Sequence, residues 1–298
     1  MSLRKPKGPR RRKAAEQGPE MPVLIVVHGP DLGKVYPLDS STMVVGSGEG
    51  VDVLLEVDGV DGVHALLACD DGRISLADRD SDTGTFVNDA LITEVELAHG
   101  DRIRAGRAIL RFFASGVEQA CEQERQRLTT HCGLTRLYNK RAFREHLELE
   151  LKRCQRYGRE LSVFVYGVDE IARLERRIGE AAVDSLLVQV TGVVAEFLSR
   201  DDLHARYGEQ EFAVVLPEVN QAQALMTAER LREAVEKTEF VWHDKIVPVT
   251  ISIGVATFER TMEDVQDFIG EIDKNLYQST KAGRNRVIGV EGGVTRCS

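Results

Sequence analysis

Residues 204–217 read HARYGEQEFAVVLP. A short apolar run, a tight Gly-Glu-Gln-Glu turn and a second apolar run ending at Pro217 predict a β-hairpin. Around it, strand and helix signals alternate. LSVFVYGV (161–168), VPVTISIGVATF (247–258) and RNRVIGV (284–290) read as strands. Between them KRAFREHLELELKRCQRYG (140–158), NQAQALMTAERLREAVEKTEF (220–240) and EDVQDFIGEIDKNLYQSTKAG (263–283) read as amphipathic helices, and RRIGEAAVDSLLVQVTGVVAEFL (176–198) contains a further long helix. Strands interleaved with helices imply an α/β (α+β) domain, one sheet with helices packed on it.

Upstream the rhythm differs. VLIVV (23–27), MVV (43–45), VLLEV (53–57), ALLA (65–68), ISLA (74–77), TFV (85–87) and AILRFF (108–113) are short apolar runs separated by Gly/Asp turns. Such spacing without a helical period predicts an all-β sandwich, so the chain is multidomain. The expected boundaries are a sandwich over 21–115, a linker over 116–131 and the α/β domain over 132–291. The linker is rich in Glu, Gln and Arg and lacks Gly and Pro, which predicts a helix. Its sparse apolar positions leave two readings open: the seam of a homodimer or a solvated spacer.

Composition narrows the function classes. The chain has 298 residues and net charge −9. Residues 1–20 hold seven basic and two acidic side chains, a surplus of +5, so the other 278 carry −14. An acidic body of this kind argues against DNA as a partner. The basic tail, with prolines at 6, 9 and 19, is expected to be disordered, as is a short tail over 292–298. No apolar run approaches the roughly 20 residues of a membrane span, and residues 1–20 lack the apolar centre expected of a secretion signal. Five cysteines without CxxC spacing argue against disulfides and zinc, and a cytoplasmic location is expected.

Between Cys132 and Val290 the chain resembles a GGDEF domain, the fold of diguanylate cyclases, on GLTRLYNKRAF, LSVFVYGVDE, RIGEAAVDSLL, ARYGEQEFAVVLP, AERLR, VTISIGVA and LYQSTKAGRNRV. The resemblance implies condensation of two GTP molecules at a site where carboxylates hold divalent metal. This chain departs from the pattern. The metal-binding aspartate ending the first strand is Gly167. The turn motif reads Gly208-Glu209-Gln210-Glu211-Phe212, with neutral Gln210 at the second metal position and bulky Glu209 where a glycine normally lets the nucleotide approach. Glu175 replaces the guanine-reading asparagine, although its partner aspartate remains as Asp184. Thr280 replaces a phosphate-binding lysine, beside Lys281, whereas Arg284 matches. Asp169 and Glu211 survive. The expectation is a domain that makes no cyclic di-GMP and needs no metal or cofactor.

The family's product-binding inhibitory site is an Arg-x-x-Asp ending five residues before the turn motif. Here Asp202 matches, Ser199 replaces the arginine, and Arg200 lies one place along; Arg230 matches the site's second arginine. Cyclic di-GMP is therefore carried forward as a candidate ligand of Arg200, Asp202 and Arg230.

Residues 21–115 resemble a forkhead-associated (FHA) domain, a sandwich whose end loops read phosphothreonine, on Gly46, HALL (64–67), SDTGTFVND (81–89) and LAHGDRIRAG (97–106). The reading positions are altered: Ser47 stands for an arginine, Asp61 for a serine, Thr83 for an asparagine, while His64 and Asn88 are kept. An aspartate among phosphate-reading groups repels the ligand. These loops, or the basic tail, are instead expected to bind a protein partner, and the tail is a candidate for docking on the sandwich in cis. The primary expectation is a non-catalytic signalling scaffold; the alternatives are a cyclic di-GMP effector and a residual diguanylate cyclase.

Overall fold

The computed structural model describes residues 21–70, 72–115, 117–243, 245–259, 262 and 264–289. The tails at 1–20 and 292–298 lie outside them. The first domain is a two-sheet sandwich. One sheet holds six strands: β1 (Val23–His28), β2 (Val35–Pro37), β7 (Thr85–Val87), β8 (Ala90–Ile92), β10 (Arg102–Ala105) and β11 (Ala108–Phe113), in the order β2-β1-β11-β10-β7-β8. The other holds β3 (Thr42–Gly46), β4 (Val53–Leu54), β5 (Ala65–Asp70), β6 (Arg73–Asp78) and β9 (Glu94–Glu96), in the order β4-β3-β5-β6-β9. Leu24, Val26, Val45, Leu67, Leu76, Leu110 and Phe112 fill the space between the sheets.

The predicted strand over 53–57 is curtailed to Val53–Leu54. Leu55 and Val60 turn into the core through a loop instead.

The second domain follows α1 (Val117–Thr130). Its sheet contains β12 (Leu161–Val168), β13 (Leu203–Arg206), β14 (Glu211–Pro217), β17 (Ile251–Thr257) and β18 (Val287–Gly289), ordered β13-β14-β12-β17-β18. Central β12 is flanked by antiparallel β14 and β17, and its residues 161–166 are all buried. Such burial on both faces explains its unbroken apolar run. Helices α2 (Lys140–Tyr157) and α6 (Val265–Lys281) join one core cluster; α3 (Ile171–Ile178), α4 (Glu180–Ala195) and α5 (Gln221–Lys237) join the other. Asn139 caps α2 and Asn220 closes a capping box on α5. A hairpin of β15 (Phe240–Trp242) and β16 (Lys245–Val247) interrupts the chain before β17.

The long helix expected within 176–198 is α4; the first residues of that segment end a separate helix, α3, before Gly179 with φ 85°. Helix α1 is not a solvated spacer along its described part. Glu124, only 2% exposed, accepts from Arg111 Nη1 of β11 at 2.6 Å and from Arg127 Nη1 at 3.1 Å, and Leu128 packs on the core of the second domain. A buried carboxylate needs such cations, so α1 is tied to the sandwich.

The domains share a dry seam. Val27 and Ile109 of the sandwich belong to the same apolar cluster as Leu134, Tyr166 and Leu187. Arg102 Nη2 donates to the carbonyls of Gly133 and Leu134 at 2.8 and 2.5 Å. At Gly133 a β-carbon would collide with the Val27 carbonyl oxygen, so only glycine permits this approach.

Candidate functional site

The hairpin turn 207–210 and the end of β12 form the rim of a cleft of about 810 Å³. Strand pairing sets Gly167 opposite Glu211. The Glu211 carboxyl is raised above the usual range by burial and by the nearby charge of Asp273, against Lys140. Tyr207 donates to Asp273 Oδ2 at 3.1 Å, and its phenol is raised by burial and by that same charge.

Asp169 does not reach over to replace the side chain missing at Gly167. Its carboxylate accepts from Ser252 Oγ at 2.6 Å, Thr250 Oγ1 at 2.7 Å and the Asn285 amide at 3.0 Å. It therefore splices β12 to β17 and to the turn before β18. Divalent magnesium demands several hard, charged oxygens in an octahedron. Glycine at 167, an amide at 210 and a carboxylate already holding three donors do not form that set. Among the described residues no three His, Cys, Asp or Glu side chains gather to hold a metal. At the cleft's outer edge Arg284 Nη1 pairs with Glu170 at 3.4 Å; Thr280 and Glu209 also line it.

A second cleft, about 840 Å³, runs from the same turn to the sandwich. Here Asp184, on α4, meets Arg107 from the β10–β11 turn. Arg107 Nε donates to Asp184 Oδ2 at 2.9 Å and Nη1 pairs with Glu180. Glu175 lies beside them, its carboxyl raised chiefly by a hydrogen bond to Glu180. The two positions assigned to base recognition, Glu175 and Asp184, are thus brought together and faced by an arginine of the other domain. His28, at the end of β1, also lines this cleft; burial holds its imidazole down to about 4 against the opposing pull of Asp184. Cys132 sits against Arg206 Nη1 at 3.4 Å, which pulls its thiol down despite burial.

The remaining candidates are placed separately. Asp202 accepts from the Ser199 amide at 2.7 Å within its own turn, while Arg200 is exposed. Arg230 is exposed on α5, and no hydrogen bond or ion pair joins it to that turn among the described residues.

In the sandwich, Ser47 Oγ donates to the Val60 carbonyl at 2.8 Å, and Asp61 Oδ2 accepts from the Asp82 amide at 2.8 Å. Thr83 Oγ1 donates to the Gly59 carbonyl at 2.6 Å. These three loops therefore meet at one end. His64 is wholly buried, accepts from the Asp61 amide at 3.3 Å, and is held neutral by desolvation, so it is part of the frame. Asn88, in the turn between β7 and β8, binds Asp101 and the Arg102 amide. Asp58, Gly59 and Thr83 face the α3–α4 turn across a groove of about 740 Å³. Part of the loop end thus looks at its own neighbouring domain.

The sequence reading missed Arg107 and Arg104, and took Trp242 only as closing a core edge, where it does pack. Arg102 and Arg104 alternate with Ile103 and Ala105, a pattern that ordinarily marks a solvated strand face. A signal did exist in the neighbours: β1 and β11 are apolar on both faces, as strands covered on both sides are.

Comparison with known proteins agrees with this architecture. The family described as diguanylate cyclase, GGDEF domain, matches residues 129–286, more than half of the chain. The chain belongs to the GGDEF family. Residues 25–116 match a second family, the cytoplasmic domain of an inner membrane component of the type III secretion system. Diguanylate cyclase A of Treponema denticola is 35% identical over 127 residues, 43% of this chain and 34% of that protein. Diguanylate cyclase DgcP of Pseudomonas aeruginosa is 32% identical over 166 residues, 56% of this chain and 24% of that one. This GGDEF protein thus spans a quarter to a third of those relatives' length. Among solved structures, the GGDEF domain of DgcB from Caulobacter crescentus in complex with c-di-GMP is 26% identical, with TM-score 0.53 over 55% of this chain and 94% of that one. The diguanylate cyclase SiaD of Pseudomonas aeruginosa, in complex with its activator SiaC, is 25% identical, with TM-score 0.52 over 58% and 68%. No helix among the described residues of the GGDEF protein is long and apolar enough to cross a membrane.

Proposed function

We propose that this GGDEF protein is a non-catalytic signalling scaffold of the cyclic di-GMP network, working in the cytoplasm through protein partners. The observation that carries the reading is the donor chemistry at the two metal positions: no side chain at Gly167, a neutral amide at Gln210, and Asp169 engaged with Ser252, Thr250 and Asn285. Without a metal ion, Lys140 and Arg284 are left to face the charge of a triphosphate entering beside Glu209, Glu211 and Asp273. Arg107 adds to this by occupying the carboxylates of Asp184 and Glu180. Purified full-length protein given GTP with magnesium or manganese is expected to form no cyclic di-GMP. Turnover that disappears in Glu211→Ala would establish a residual cyclase and overturn the scaffold reading.

A second reading, a cyclic di-GMP effector, rests on Arg200 and Arg230, both exposed and neither in an ion pair among the described residues. A guanidinium fork suits guanine or phosphate, and the DgcB structure holds this dinucleotide. Calorimetry with cyclic di-GMP separates the readings. Heat that is lost in Arg230→Ala supports the effector; no heat in the wild type leaves the scaffold alone.

A further inference from the structure

A cavity of about 430 Å³ lies between the domains, bordering the second cleft at Asp184 and the groove at Trp242 and His243. Its walls are mostly apolar: Phe86, Leu91 and Ile109 from the sandwich, Leu134, Val188 and Trp242 from the second domain. Two arginines line it, together with Asp89 and Asp184: Arg102, which is already committed to the Gly133 and Leu134 carbonyls, and Arg104 of β10. The Arg104 guanidinium carbon stands 3.7 Å from the Phe86 ring centre and 5.6 Å from that of Trp242, while the two rings are near parallel, 20° apart with centres 6.3 Å apart. The guanidinium therefore stacks on Phe86 and lies near the Trp242 ring, so an aromatic side chain of each domain meets it. Nη1 is buried and has no hydrogen-bond partner, and among the described residues the group donates to none.

A buried cation without an acceptor is costly, and a planar fork is geometrically matched to a carboxylate. Nearby Asp89 is already within 3.8 Å of Arg102, and Asp184 is bound to Arg107. Neither completes Arg104. We propose that this interdomain cavity binds a small planar carboxylate with an apolar body, its carboxylate on the edge of Arg104 and its body against Leu91, Val188 and Trp242. The volume falls in the range of ordinary small-molecule sites. Such a ligand touches both domains and strengthens their docking by mass action. The inference goes beyond the scaffold reading and does not depend on it.

Trp242 is the single tryptophan of the chain, so its emission reports the site directly. The probes are benzoate, its neutral counterpart benzyl alcohol, and inorganic phosphate, each titrated into the full-length protein with excitation at the tryptophan edge. Benzoate is expected to change the emission saturably, with benzyl alcohol and phosphate at least about tenfold weaker. Arg104→Met, which keeps the stem and removes the fork, is expected to abolish the benzoate response. No saturable response to benzoate, an equal response to benzyl alcohol or phosphate, or a response retained in a folded Arg104→Met protein each overturns the proposal. The three-probe comparison on the wild type decides the matter even if that variant fails to fold.

Discussion

Arg107 and Asp184 lie 77 residues apart in the chain, yet Arg107 Nε donates to Asp184 Oδ2 at 2.9 Å and joins two domains. Asp184 is 4% exposed, so its charge depends on that partner. Arg107→Met is expected to destabilise the protein by about 1–3 kcal/mol, because a buried carboxylate is left without its donor. Adding Asp184→Asn recovers part of the loss. Chemical denaturation of the four members of the cycle measures the coupling, and additive effects would show that the contact is passive.

Gly133 is the second point of closure. Alanine there drives a methyl group into the Val27 carbonyl, and the two domains must separate to admit it. Gly133→Ala is expected to cost more than ~2 kcal/mol and to split a single melting transition into two. Calorimetry and small-angle scattering of the variant check this. A single unshifted transition with an unchanged radius refutes the rigid seam.

Restoring donors at the cleft tests the metal argument from the other side. A β-carbon at Gly167 meets nothing nearer than 3.9 Å, so there is room for a carboxylate. Gly167→Asp combined with Gln210→Asp is expected to bind manganese at least about tenfold more tightly than the wild type, since two charged oxygens replace none and a neutral one. Titration with the manganese spin signal as readout measures the gain. Equal affinity would mean that the missing ligands are not what limits the site.

Acid stability follows from buried imidazoles. His204, hydrogen-bonded to Tyr166 at 2.8 Å, is held down to about 4 by burial, and His28 is also lowered to about 4. The unfolded chain takes up protons at these histidines near 6.5, whereas the native protein does so only near 4. Between those values the unfolded state binds more protons, so stability is full above about 6.5 and falls as pH drops toward 4. The slope is ~1.4 kcal/mol per pH unit for one such site. His204→Gln keeps an acceptor for Tyr166 and is expected to flatten the slope in pH-dependent thermal melts; an unaltered slope would exclude His204 as a contributor.

Much of the fold was legible locally. The apolar run of β12, the caps at Asn139 and Asn220, and the Gly/Asp turns of the sandwich are short-range signals that neighbouring residues decide. That Gly167 and Gln210 carry no carboxylate was equally readable, because residue type is a property of one position. The break at Gly179 and the shortening of β4 were not, since an amphipathic pattern runs through both and only packing selects where an element stops.

The order of residues was enough to set the two domains, their periodicities and the residue types that stand in the cleft, since each depends on residue type at close spacing. Where surviving side chains are directed was decided by tertiary structure alone. Asp169 looks like a free carboxylate until Ser252, Thr250 and Asn285 close around it, and Arg104 looks solvated until Trp242 covers it. These partners come from segments some 80 to 140 residues away, and burial, not sequence neighbourhood, sets the electrostatic strength of such contacts.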